Sequence, residues 1–212
     1  MTDVDYFLKN FEEPRVVITP DSDFPVCYGE KGILHAKVTG PKIKKGQILQ
    51  LWGGTTENAV AGVASALVQL PKGGTLFKEG SKVAHAIIIE PLENDTVKII
   101  AKGISAHAST PYEGIDGIAI LSQFMLEKDL GNAQEQEFLR FVCRVAGRPD
   151  GSGIEIDCSD EYFEELTIVP SMLYIENGHF VQIFDTRYPA CTTHETILKK
   201  LKKFAPENSK LT

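Results

Sequence analysis

The sequence predicts an α+β fold: two ferredoxin-like-type units, with antiparallel sheets and helices packed on one face. Two observations carry this expectation. Apolar alternation with a period of two marks strands that come in consecutive pairs, and apolar residues at helical spacing mark the helices between them. The order reads β-β-α-β-β-α and then α-β-β-α, so the halves look related, although no residue-level repeat joins them.

Residues 1–30 open with a short amphipathic stretch and continue as "PRVVITPDSDFPVCYGEKG", which prolines and glycines break repeatedly. An extended lead-in is expected there. The first unit is expected over residues 31–130. "ILHAKVTG" alternates as a strand, "GPKIKKG" turns the chain, and "QILQLWGG" is a second strand. "TTENAVAGVASALVQL" is expected to be a helix. Thr55 or Thr56 can cap it, Ala59, Val60, Val63, Ala64, Leu67 and Leu70 share one face, and "PKGG" ends it. "VAHAIIIE" and "TVKIIAKG" are strands that "PLEND" joins as a hairpin, and a helix follows at about 115–128.

The second unit is expected over residues 131–212. "AQEQEFLRFVCRVA" is helical, with Phe138, Phe141, Val142 and Val145 facing inward. "LTIVPSMLYIENGHFVQIFDTRYP" is a hairpin closed by Asn177-Gly178, a pair that tolerates positive φ at both positions. "HETILKKLKKFA" is the last helix, with its lysines on a solvated face near the C-terminal end. "PENSKLT" shows no pattern.

At 212 residues the chain can bury a substantial core. A formal net charge of -7 argues against nucleic acid or an anionic membrane as partner, because both need clustered positive charge. No apolar run is long enough to span a bilayer, and the acidic start lacks the apolar core of a signal peptide. Cys27, Cys143, Cys158 and Cys191 lie far apart without a CxxC pair. Reduced thiols in a cytoplasmic protein are expected.

Machinery for chemistry is sparse. His35, His85, His107, His179 and His194 form no HxH, HExxH or HxD pattern, and Glu164-Glu165 is expected on a solvated surface. No metal site and no bound cofactor are therefore expected in this chain. There is no GxSxG elbow, phosphate loop or GxGxxG. Gly53-Gly54 in "LWGGTTEN" fit a tight strand-to-helix turn.

Three polar positions remain. His107 sits among small residues in "GISAHASTPYEG", where another molecule could approach closely. Asn58 is expected in the first turn of a helix, and Arg187 ends a strand beside Asp185. Each has a bland reading: an exposed loop histidine, a capping asparagine, an ion-paired arginine.

"GISAHASTPYEGIDGIAIL" resembles the G-x-SAH-(small)-S-x-P-x-x-G-x-N-A signature of zinc dipeptidases, deacylases and carboxypeptidases of the aminoacylase clan. "FPVCYGEKGILHAKVTG", "LWGGTTENAVAGVASALVQL" and "FDTRYP" narrow the likeness to bacterial Xaa-His dipeptidases of the dipeptidase V, carnosinase-like type. The likeness runs through most of residues 5 to 205. It implies that this chain is the lid domain, two α+β units in one chain, of an enzyme whose catalytic domain lies outside the sequence. That domain would bind two zinc ions through an HxD motif, a Glu-Glu pair, an Asp and a distant His. The likeness implies that His107 reaches toward the scissile carbonyl oxygen, that Asn58 helps hold substrate, and that Arg187 grips the C-terminal carboxylate of a dipeptide. The missing catalytic domain and the dipeptide would be the partners, and the lid alone would be inactive.

The sequence departs from the pattern in places. Asn58 is followed by Ala59-Val60-Ala61-Gly62 where many relatives carry N-x-V-P-D. Asp116-Gly117 replaces Asn-Ala, and Val169-Pro170-Ser171 stands where Asn-x-Gly is common. The competing expectation is a stand-alone α+β module that binds a small molecule or a protein.

Overall fold

The computed structural model describes residues 3–16, 27, 29–72 and 86–212. The chain divides into two compact units, Met1–Glu30 and Lys31–Thr212. In the first, helix α1 spans Asp3–Asn10, and the rings of Phe7 and Phe11 stack with centroids 5.2 Å apart. Most of the expected extended lead-in, residues 17–26 and 28, lies outside the described residues.

The second unit is α+β. Its strands are β1 (Gly32–Lys42), β2 (Ile48–Gly53), β3 (Val63–Gln69), β4 (Ile87–Pro91), β5 (Thr96–Lys102), β6 (Ser159–Asp160), β7 (Glu164–Glu165), β8 (Thr167–Glu176), β9 (His179–Tyr188) and β10 (Lys210–Leu211). Its helices are α2 (Gly117–Glu127), α3 (Ala133–Ala146) and α4 (His194–Phe204). Eight strands make one antiparallel sheet in the order β10-β1-β9-β8-β2-β3-β5-β4, and β6 pairs with β7 apart from it. Strands of the two halves interleave: β1 lies between β10 and β9, and β2 pairs with β8 at Trp52–Tyr174 and Gly53–Leu173.

Local signals explain most elements. The turn between β8 and β9 is Asn177-Gly178, with φ of 53° and 79°, as the Asn-Gly pair demands. Asn132 caps α3 reciprocally: its side chain accepts from the Glu135 backbone, and the Glu135 carboxylate accepts from the Asn132 backbone. Asp116 caps α2 by accepting from the amides of Ile118 and Ala119 at 2.7 and 3.2 Å. The expected strand "VAHAIIIE" corresponds to β4; its residues 83–85 lie outside the described residues.

One expectation is overturned. The segment expected as a helix from Thr55 onward is a loop followed by β3, in which Ala64, Ala66 and Val68 are buried while Val63, Ser65, Leu67 and Gln69 point the other way. Alanine-rich sequence supports either period here, and pairing with β2 on one side and β5 on the other decides for the strand. The small side chains serve α2. The Gly117 amide donates to the Ala61 carbonyl at 2.7 Å, and a Cβ on Gly117 would lie only 3.0 Å from that oxygen.

β1 and β2 follow each other in sequence yet are separated in the sheet by β9 and β8. Their connection is fastened by the buried carboxylate of Glu135, which accepts from the amides of Gln47, Ile48 and Asn132 at 2.9, 2.9 and 2.7 Å. The unpatterned tail supplies β10, which lies on the outer edge of β1.

The core lies between one face of the sheet and the helices. Phe138 and Phe141 of α3, both expected to face inward, meet Phe180 and Phe184 of β9 edge to face, each pair with centroids 5.6 Å apart. Ile118, Leu121 and Met125 of α2 are buried in the same cluster with Ala64 and Ile99. Side chains alternate along a strand, so the neighbours of core residues emerge on the opposite face. That face carries His35 beside Ala36, Asp185 beside Phe184, and Thr167 beside Ile168.

Candidate functional site

Two loops and one strand end converge on the sheet face opposite the helices. The first loop, between Gly103 and α2, is closed at its base by reciprocal 2.8 Å hydrogen bonds between Ile104 and Ile115. The second joins β2 to β3. The two bridge each other: Val60 donates to Ala106 at 2.9 Å, Ala108 donates to Asn58 at 3.0 Å, and Ala59 pairs with His107. Val60, Ala108 and Val169 form a small buried cluster beneath them. The Thr167 hydroxyl donates to the Ala108 carbonyl at 3.0 Å in a buried position.

His107 is exposed. Its Nδ1 accepts from the Ser109 amide at 3.2 Å and lies 2.7 Å from the Ser109 hydroxyl. An Nδ1 that accepts a backbone N–H carries no proton, so in the neutral ring the proton sits on Nε2. Among the described residues Nε2 has no partner. The loop thus presents one N–H donor outward, in a fixed tautomer.

Asn58 is an exposed turn residue rather than a helical one, because the expected helix is a loop and a strand. Its backbone carbonyl ties the two loops together. Beside it lies a groove of about 370 Å³ lined in part by Trp52, Thr55, Thr56, Ala59, Gly62 and Ser105.

Arg187 pairs across the sheet with Thr167, the residue that holds the His107 loop. It makes the expected contact with Asp185, and makes it with both arms: Nε to Oδ1 at 2.8 Å and Nη2 to Oδ2 at 2.9 Å. The Asp185 side chain is fully buried and that of Arg187 is 13% exposed. A guanidinium has five N–H donors, so the Nη1 edge remains for a second carboxylate.

Sequence reasoning missed the rest of this cluster. His35 Nε2 lies 2.9 Å from Asp185 Oδ2, and its Nδ1 lies 3.2 Å from Glu57 Oε2. No local signal marks His35. It enters only because β1 pairs with β9 and sets His35 opposite Asp185.

The chain resembles part of two dipeptidases. It is 27% identical over 203 residues to the Bacillus subtilis protein named "Putative dipeptidase YtjP", covering 92% of this chain and 44% of that protein. It is also 27% identical over 216 residues to the Beta-Ala-Xaa dipeptidase of Lactobacillus delbrueckii subsp. lactis, covering 95% of this chain and 45% of that protein. The chain therefore spans less than half the length of these curated relatives. No protein-family model matches it.

Among the described residues no three His, Cys, Asp or Glu side chains are grouped to hold a metal ion. The described residues do not make up a zinc site. Glu164 and Glu165 are exposed on the small β6–β7 hairpin. All four cysteines are free. No helix among the described residues is long and apolar enough to cross a membrane.

Proposed function

We propose that this chain is the lid of a cytoplasmic zinc dipeptidase of the Xaa-His, carnosinase-like type, supplying substrate-binding and oxyanion-stabilising groups to a catalytic domain outside it. The observation that carries the reading is the His107 loop bridged to the Asn58 loop and fastened through Thr167 to the strand pair bearing Arg187. Metal ions held by that other domain would supply the activated water that attacks the peptide carbonyl, while this chain's residues bind and orient the substrate.

The chain's own residues have three tasks. The outward Nε2–H of His107 donates to the carbonyl oxygen as negative charge builds on it, and the Ser109 contacts fix the tautomer that makes this possible. Ala106 and Ala108 keep the loop slim enough to approach a bound peptide. The free edge of Arg187 receives the C-terminal carboxylate with paired, charge-assisted hydrogen bonds. Asn58 holds the peptide between them. Likeness to two named dipeptidases supports this reading, and so does the share of each that the chain covers.

The test is His107→Ala in the enzyme that carries this segment. Turnover of a dipeptide falls by about 10²–10³, or ~2.7–4 kcal/mol, while affinity and metal content hold. The 212-residue chain alone, supplied with zinc, releases no amino acids. Loss of metal from the variant makes His107 a ligand and overturns the assignment, as does unchanged turnover.

A further inference from the structure

The His35–Glu57 pair has no role in the reading above. We infer that His35 is a positioning residue that locks Arg187 through Asp185, and that Glu57, on the far side of the same ring, ties the loop carrying Asn58 to this cluster, an inference that rests on Arg187 as the carboxylate-binding group. The geometry forms a chain of four side chains. Arg187 holds both oxygens of Asp185, His35 shares Asp185 Oδ2 at 2.9 Å, and the far side of the same ring meets Glu57 Oε2 at 3.2 Å. Glu57 directly precedes Asn58.

Each link has a physical consequence. Asp185 is a fully buried carboxylate, and a buried charge needs partners on all its oxygens. With His35 absent, Arg187 alone would neutralise it, and the guanidinium would be drawn onto Asp185 and away from any incoming carboxylate. With His35 donating to Oδ2, part of that demand is met and the outer edge of Arg187 keeps its field. The other nitrogen of the same ring faces Glu57 Oε2 and ties that side chain to the cluster. The loop bearing Asn58 is thereby held to the same β1–β9 strand pair that aims Arg187. Carboxylate capture and loop placement then act as one unit.

Side-chain hydrogen exchange on the 212-residue chain tests this. The Arg187 Nε–H, followed by nuclear magnetic resonance, exchanges about tenfold faster in His35→Ala, while the Ile99 amide in the buried sheet is unchanged. His35→Gln, whose amide can still donate to Asp185, restores part of the protection. Glu57→Gln leaves the buried Asp185–Arg187 pair in place; there the Ala108 amide, which donates to Asn58, exchanges faster and Arg187 does not. Arg187 exchange within about twofold of wild type in His35→Ala overturns the inference, and so does parallel loosening of Ile99. Should His35→Ala fail to fold, His35→Leu, which fills the same space without a donor, is judged on the same Arg187 and Ile99 criteria. In the enzyme, His35→Ala raises KM for dipeptides with a free C-terminus by about tenfold more than it lowers kcat, and spares C-terminally amidated peptides. A wild-type enzyme that hydrolyses no dipeptide removes the role of Arg187, while the exchange experiment still decides whether His35 positions it.

Discussion

The Thr167 hydroxyl donates to the Ala108 carbonyl across 59 residues of sequence, at 3.0 Å and out of solvent. This bond joins the strand opposite Arg187 to the His107 loop, beside the packing of Val169 against Ala108. Thr167→Val keeps the shape, removes the donor and leaves a buried carbonyl unpaired. The expected cost is about 1–3 kcal/mol of unfolding free energy, read by urea denaturation, with faster exchange at Ala108 and Ser109 than at Ile99. Wild-type stability would show that water replaces the hydroxyl at no cost.

Arg187→Lys tests the carboxylate grip. A lysine is a point donor and cannot hold Asp185 and a substrate carboxylate with paired bonds. In the enzyme, binding of dipeptides with a free C-terminus weakens by about 2–5 kcal/mol, with a much smaller loss for amidated peptides. Equal losses for both substrates would assign Arg187 to structure alone.

Gly54 marks the seam between β2 and β8. It has φ of 72°, and a Cβ there would lie 1.8 Å from the carbonyl oxygen of Ser171, a backbone atom that cannot swing aside. Gly54→Ala is expected to cost ~3 kcal/mol or more, by strain and by parting the strands. A denaturation midpoint equal to wild type would mean that the seam can shift freely.

Asp116 titrates in an unusual range. Burial behind α2 pushes its pKa up to about 7, against the pull of the two amide hydrogen bonds it accepts. A raised acid favours the folded state when protonated, so its contribution is complete below the ordinary value of 3.8 and is lost as pH rises through about 7. Asp116→Asn keeps the cap and removes the charge. It is expected to stabilise the chain by about 1–3 kcal/mol at pH 8 and by little at pH 4. A gain independent of pH would place the effect elsewhere.

Much of the fold was legible because local physics and tertiary packing agree. α3, α4 and the β8–β9 hairpin each carry cap, period and turn signals that point one way. β3 was misread because Ala64, Ala66 and their neighbours satisfy a helical period as well as a strand period, and only the flanking strands decide. β10 was invisible because a two-residue strand has no period to detect. At the candidate site, His107 and Arg187 were singled out by short motifs. His35, Glu57 and Thr167 were not, since their significance depends on which strand lies beside which.

That pairing also sets an order of assembly. β1 joins β9 through residues about 150 positions apart, as His35 and Asp185 illustrate. Contacts of such long range form late, because the chain entropy they cost is repaid only once the intervening strands and helices are in place. During synthesis β1 leaves the ribosome first among the sheet strands yet waits for β9 before it has a neighbour. Until then it is an unpaired edge, open to chaperones and to misassociation. The His35–Asp185 contact is therefore among the last to close, and a chain caught before that step would hold the His107 loop beside an incomplete Asp185–Arg187 cluster.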